Sequence, residues 1–148
     1  MNRKSLVQLV VVASSLSTVA PLSAEDVSFE KEVLPVLEKK CMECHREAYT
    51  DPKRGRLKKP KGDLRMDGPE HIVKAGESEK PAITAGKPDE SEALARVLLP
   101  EDSDDFMPPK GDALTKEEVE LLKKWIEQGA KFGEWKGTKF SPEGEKVE

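Results

Sequence analysis

Two cysteines, Cys41 and Cys44, stand three positions apart in the segment CMECH, with His45 directly behind them. They are the only cysteines in 148 residues. A disulfide across so short a span closes a tiny loop and removes little unfolded-state entropy, so the spacing calls for another use of the thiols. CxxCH is the attachment signature of c-type haem. Residues three apart on helical backbone share a side, with Cβ atoms roughly 5–6 Å apart. Both thiols then face the two vinyl groups along one porphyrin edge, and the following His45 turns beneath the ring to ligate iron. A zinc site usually needs four ligands, and beyond these three only His71 offers itself. A redox-active CxxC belongs at the start of a helix, after a strand. Here the motif closes a helix.

That preceding helix is read from Phe29, Val33, Val36 and Leu37, which repeat at the 3.6-residue period over Val27 to Lys40. Pro35 is discordant. It removes a backbone donor and predicts a bend or a late start. Further upstream, Arg3 and Lys4 precede an apolar run from Leu6 to Leu16, and small residues follow up to Ala24. Residues 1–24 are therefore expected to be a secretory signal peptide. The apolar run is short for a membrane span of about 20 residues, and nothing later in the chain is apolar enough to span. The expected location is the periplasm or another exported compartment, with no membrane span after cleavage.

Downstream of the motif, Arg46 to Gly62 is polar and basic, and Pro52, Gly55 and Pro60 mark it as a surface loop. Leu64 and Met66 alternate with charged residues, as in a very short strand. Pro69 to Ala75 is a candidate short helix. Asp89 with Glu92 is placed to cap a helix running to about Leu98. Thr115 and Glu118 form a capping box, and Leu114 with Val119 a hydrophobic staple. They open a helix whose apolar face is Val119, Leu122, Trp125 and Ile126, and Gly129 ends it. Phe132 and Trp135 are expected to pack back on the domain. Residues 136–148 are polar and expected to be a flexible tail.

Four side chains are candidates for the second axial position on the iron: Met107, Met66, Met42 and His71. Met107 is followed by Pro108 and Pro109, which stiffen the loop and present the thioether in one direction. Met66 suits a core role. Met42 lies between the thiols and does not cross to the opposite face. His71 fits a short exposed helix. A Met/His pair raises the potential and closes the iron to other ligands, which suits electron transfer.

Hydrophobic residues make up 36% of the chain and charged residues another 36%. So few apolar side chains build a thin core, and a porphyrin would add apolar bulk. The net charge of −4 argues against nucleic-acid binding.

The segments CMECH at 41–45, KGDLRMDG at 61–68, AGKPDESEALARV at 85–97, MPPKG at 107–111 and LTKEEVELLKKWIEQGAKF at 114–132 together resemble the planctomycete-type cytochrome c domain. The resemblance spans roughly residues 28–135, taken as the cytochrome c domain. It implies a mainly α fold, a small cytochrome c-like helical bundle around one covalently bound haem, with its first and last helices packed together. It further implies haem c attached at Cys41 and Cys44, and iron held by His45 and Met107. The function expected is electron transfer rather than catalysis. The alternatives are a haem-bearing subunit of an oxidoreductase complex, or a small-ligand-binding haem protein if the sixth position is open. Redox partner proteins are the expected partners, with the basic loop 53–61 as a docking element for an acidic surface.

Overall fold

The computed structural model describes residues 25–147. The expected signal peptide lies outside the described residues. Among these, no helix is long and apolar enough to cross a membrane.

The chain opens with a π-helical turn, Phe29–Val33, that passes into helix α1, Leu34–Lys40. Pro35 explains the wide turn. Its ring crowds the preceding turn and it has no N–H to donate. The N–H of Leu34 instead donates to the carbonyl of Phe29, five residues back. The bend expected at Pro35 is thus a π-to-α transition, and α1 delivers its C-terminal residue directly to Cys41.

The last helix, α4 (Lys116–Glu127), forms as its sequence dictates. Thr115 accepts from the N–H of Glu118, and Glu118 accepts from the N–H of Thr115. Its buried residues are Leu122, Trp125 and Ile126. They meet the start of the chain. Phe29 packs at 4.9–5.1 Å between ring centroids on Trp125, Phe132 and Trp135, distances at which aromatic pairs attract beyond their burial. The indole of Trp125 donates to the carbonyl of Lys131 at 2.9 Å. Val27 N–H donates to the side chain of Gln128 at 2.7 Å. The two ends of the domain are therefore locked together, and Phe132 and Trp135 fold back as expected.

Between these ends the helical-bundle expectation fails. Helix accounts for 33% of the described residues and strand for 8%. Of the four α-helices among the described residues, only α1 and α4 reach seven residues. Helix α2 is the single turn Pro69–Ile72 and α3 is Glu92–Val97. The cause lies in the sequence between them. Pro52, Pro60, Pro81, Pro88, Pro100, Pro108 and Pro109 each remove a donor and stop helix propagation, so the middle of the chain is mostly turns and extended loop.

Two antiparallel hairpins are present: β1 (Tyr49–Thr50) with β2 (Leu57–Lys58), and β3 (Lys139–Phe140) with β4 (Lys146–Val147). The first lies in the basic segment. The second occupies what the sequence suggested was a flexible tail. Glu38 holds it, accepting from the Thr138 hydroxyl at 3.0 Å and from the Lys146 ammonium at 2.7 Å. The guanidinium of Arg46 lies over the rings of Tyr49 and Phe140, 4.2 and 4.4 Å from their centroids. Leu64 to Met66 is not a strand: Leu64 N–H turns back to the carbonyl of Lys61 at 3.2 Å, and Met66 N–H donates to the carbonyl of His45 at 2.7 Å. The cap of α3 also differs. The N-cap residue is Ser91, whose hydroxyl turns away from the helix. It accepts from Thr84 N–H and donates to the carbonyl of Lys87, each at 2.9 Å.

Candidate haem site

The CMECH segment leaves α1 as a pair of tight turns. Cys41 and Met42 N–H both donate to the carbonyl of Leu37, and His45 N–H donates to the carbonyl of Cys41 at 3.0 Å. Met42 points into the core and is 2% exposed. The two cysteines flank it on the other side and are not bonded to each other.

A second segment, Lys61 to Met66, is stitched along this turn. Lys61 N–H donates to the carbonyl of Cys44 at 2.9 Å, and Met66 N–H to the carbonyl of His45 at 2.7 Å. Between these bonds, Nδ1 of His45 lies 3.0 Å from the carbonyl oxygen of Lys61. A carbonyl only accepts, so Nδ1 carries the proton and Nε2 of the neutral ring keeps its lone pair. Burial lowers the imidazole pKa, and the Lys61 and Leu64 backbone contacts oppose that shift. A neutral imidazole with its far nitrogen tied to a backbone carbonyl is the arrangement found at metal-ligating histidines.

These turns form one wall of a cavity of about 690 Å³, within the roughly 300–1,000 Å³ of small-molecule and cofactor pockets. Helix α3 and the strap from Asp105 to Leu114 also line it. Cys41, Cys44, His45 and Met107 all line it. The four residues singled out in the sequence are thereby brought to one space. Met66 reaches the same cavity but is 3% exposed and belongs to the hydrophobic core. His71 does not line it and lies 3.2 Å from Glu70.

The Cys41 thiol is poorly suited to disulfide exchange. Burial, with Cys44 and Glu118 nearby, pushes the Cys41 thiol up to about 12, whereas reactive CxxC thiols are held low. Among the described residues, no group of three or more His, Cys, Asp or Glu side chains converges to hold a metal ion. The lining brings two thiols, an imidazole with its Nε2 lone pair free and a thioether to one cavity, the donor set that a covalently attached haem would use.

Residues 41–111 match the model of the family described as planctomycete cytochrome C. This segment resembles a planctomycete cytochrome c domain. The match begins at Cys41 and ends at Gly111, so it contains CMECH and MPPKG but leaves α1 and α4 outside. Neither any curated protein nor any solved structure matches the chain significantly. The match is to a family of c-type cytochromes, a class associated with covalent haem and electron transfer.

The matched segment has supporting residues that carry no signal in the sequence. Asp67 is 3% exposed and accepts from Glu47 N–H at 2.7 Å and from the Arg65 guanidinium at 2.9 Å twice. It fixes the chain where it leaves His45. The Lys61 carbonyl had no signal, because a backbone acceptor 16 residues away has no side-chain identity to read. Arg96 lines the cavity and bonds two carboxylates, Glu92 and Asp105, a role that its place in a short helix does not signal.

Proposed function

We propose that the chain is an exported mono-haem c-type cytochrome that carries electrons. Haem would be attached through Cys41 and Cys44, and its iron held by His45 and Met107. The observation that carries this reading is the single cavity lined by all four residues, with Nδ1 of His45 engaged so that Nε2 is left to ligate. Haem, when bound, supplies a one-electron centre. The protein's part is to fix its edge, close both axial positions and exclude other ligands.

Export is supported by the apolar run after Arg3 and Lys4. Redox partners with acidic surfaces would dock near the basic loop 53–61. Lys61, at the end of that loop, lines the cavity, whereas Lys58 is already paired with Asp51 at 3.1 Å. Lys53, Arg54, Arg56 and Lys59 are exposed and remain to steer an acidic partner. Neutralising them slows association more at low salt than at high salt. Equal rates at both ionic strengths would remove the docking element.

The whole reading is tested on protein produced with a haem-attachment system. Colour that survives denaturation in wild type and is lost in Cys41→Ala/Cys44→Ala is expected. A colourless wild type refutes it.

A further inference from the structure

The strap that carries Met107 has almost no regular structure, yet a thioether must be held in one direction to stay on iron. We propose that Arg96 is a positioning residue for Met107, clamping the strap to α3, with Lys40 as the second anchor at the strap's far end. The inference rests on the reading of Met107 as an axial ligand.

Arg96 grips the strap in two ways. Its backbone carbonyl accepts from Met107 N–H at 3.3 Å. Its Nη1 lies 2.6 Å from a carboxylate oxygen of Asp105, two residues before Met107. The guanidinium is itself aimed by Glu92, one turn earlier on α3, at 2.9 Å from Nε. One side chain thus ties the helix to the strap, and its own peptide unit holds the peptide of the ligand. Phe106, between the two tied residues, is 9% exposed and gives the strap an apolar foot. At the other end the ammonium of Lys40 donates to the carbonyls of Asp112 and Ala113 at 2.9 and 3.2 Å. Lys40 precedes Cys41, so the wall bearing the thiols and the strap bearing Met107 are joined directly.

Glu92 and Asp105 share Arg96 from opposite sides, so the bridge spans two elements. A lysine in its place has no planar fork to engage both carboxylates at once. Asp105 is largely exposed, which limits the strength of the link and makes it sensitive to salt.

The experiment uses the haem-loaded protein and imidazole, which competes with the thioether for ferric iron. Wild type, Arg96→Ala, Asp105→Asn, the double variant and Lys40→Leu are titrated with imidazole, and their potentials are measured. Lys87→Ala, which removes an exposed pair with Glu90 that does not line the cavity, is the control. The clamp predicts imidazole affinity about 2- to 5-fold higher in Arg96→Ala, Asp105→Asn and Lys40→Leu, with lowered potentials. The double variant should match Arg96→Ala rather than the product of the singles, and the Asp105→Asn effect should shrink in high salt. Lys87→Ala should leave affinity and potential unchanged. Asp105→Asn alters an exposed side chain and keeps the fold, so it decides the matter even if Arg96→Ala is unstable. Wild-type affinity and potential in Asp105→Asn and Lys40→Leu, in a protein whose oxidised spectrum carries the Met–iron absorption, would overturn the clamp alone. A wild type without that absorption would overturn the Met107 reading, and the clamp with it.

Discussion

Nδ1 of His45 faces the carbonyl oxygen of Lys61 at 3.0 Å, across 16 residues of sequence. The contact is made by backbone, so the identity of the lysine side chain is immaterial to it. The path of the chain is what matters. Gly62 follows with φ +60°, a left-handed conformation that costs a side-chain-bearing residue about 1 kcal/mol. Lys61→Arg, which keeps both the backbone carbonyl and the positive charge at the cavity, is expected to leave the haem potential unchanged. Gly62→Val strains the turn and turns the carbonyl away, and is expected to shift the potential and lower the yield of haem-loaded protein. Equal potentials in wild type and Gly62→Val would show that this carbonyl does not tune His45.

The two cavity-lining methionines separate cleanly. Met107→Ala is expected to open the iron, so that carbon monoxide shifts the reduced spectrum and the potential falls. Met66→Leu conserves core volume, costs less than about 1.5 kcal/mol and leaves the spectrum intact. The reverse pattern, read by the same carbon monoxide titration, would make Met66 the ligand.

The aromatic cluster joins the two ends of the domain. Phe29 is 3% exposed and touches Trp125, Phe132 and Trp135. Phe29→Ala is expected to lower stability by about 3–5 kcal/mol in denaturant titration of the haem-loaded protein. The absorption spectrum of the folded fraction should not move, because the cluster lies away from the cavity. A loss under about 1 kcal/mol would mean that the ends are not held by this packing.

The hairpin β1–β2 should respond to acid. Asp51 is held below the usual carboxylate value of about 3.9, chiefly by the Lys58 side chain and then by the N–H groups of Lys53 and Arg54. With its folded value lowered, its contribution is complete above about pH 4 and is lost as pH falls through the lowered value. Amide exchange in residues 49–58 is expected to quicken over that acid limb in wild type. Asp51→Asn should remove the pH dependence and exchange fast throughout. An unchanged acid limb in Asp51→Asn would assign it to other carboxylates.

What could be read from the sequence was whatever is coded by local spacing. Cys41, Cys44 and His45 lie within one turn, and α4 carries its cap, apolar face and stop signal in consecutive residues. MPPKG at 107–111 marked the strap. What depends on distant partners was not readable. Ser91 took the cap position because its hydroxyl was already engaged with Thr84 and Lys87, a choice made by the loop before the helix. The segment after Lys136 looked featureless because its anchors, Glu38 and Arg46, lie about a hundred residues away. The bundle expectation failed because the domain closes on a cavity wall of loops, which helical periodicity does not report.

The central claim is that this chain holds haem through thioether bonds at Cys41 and Cys44. The most direct measurement is the mass of the intact, acid-denatured protein after production with a haem-attachment system. The account predicts the processed chain plus one haem, with neither thiol open to alkylation. A chain at its polypeptide mass with both thiols alkylated would contradict it.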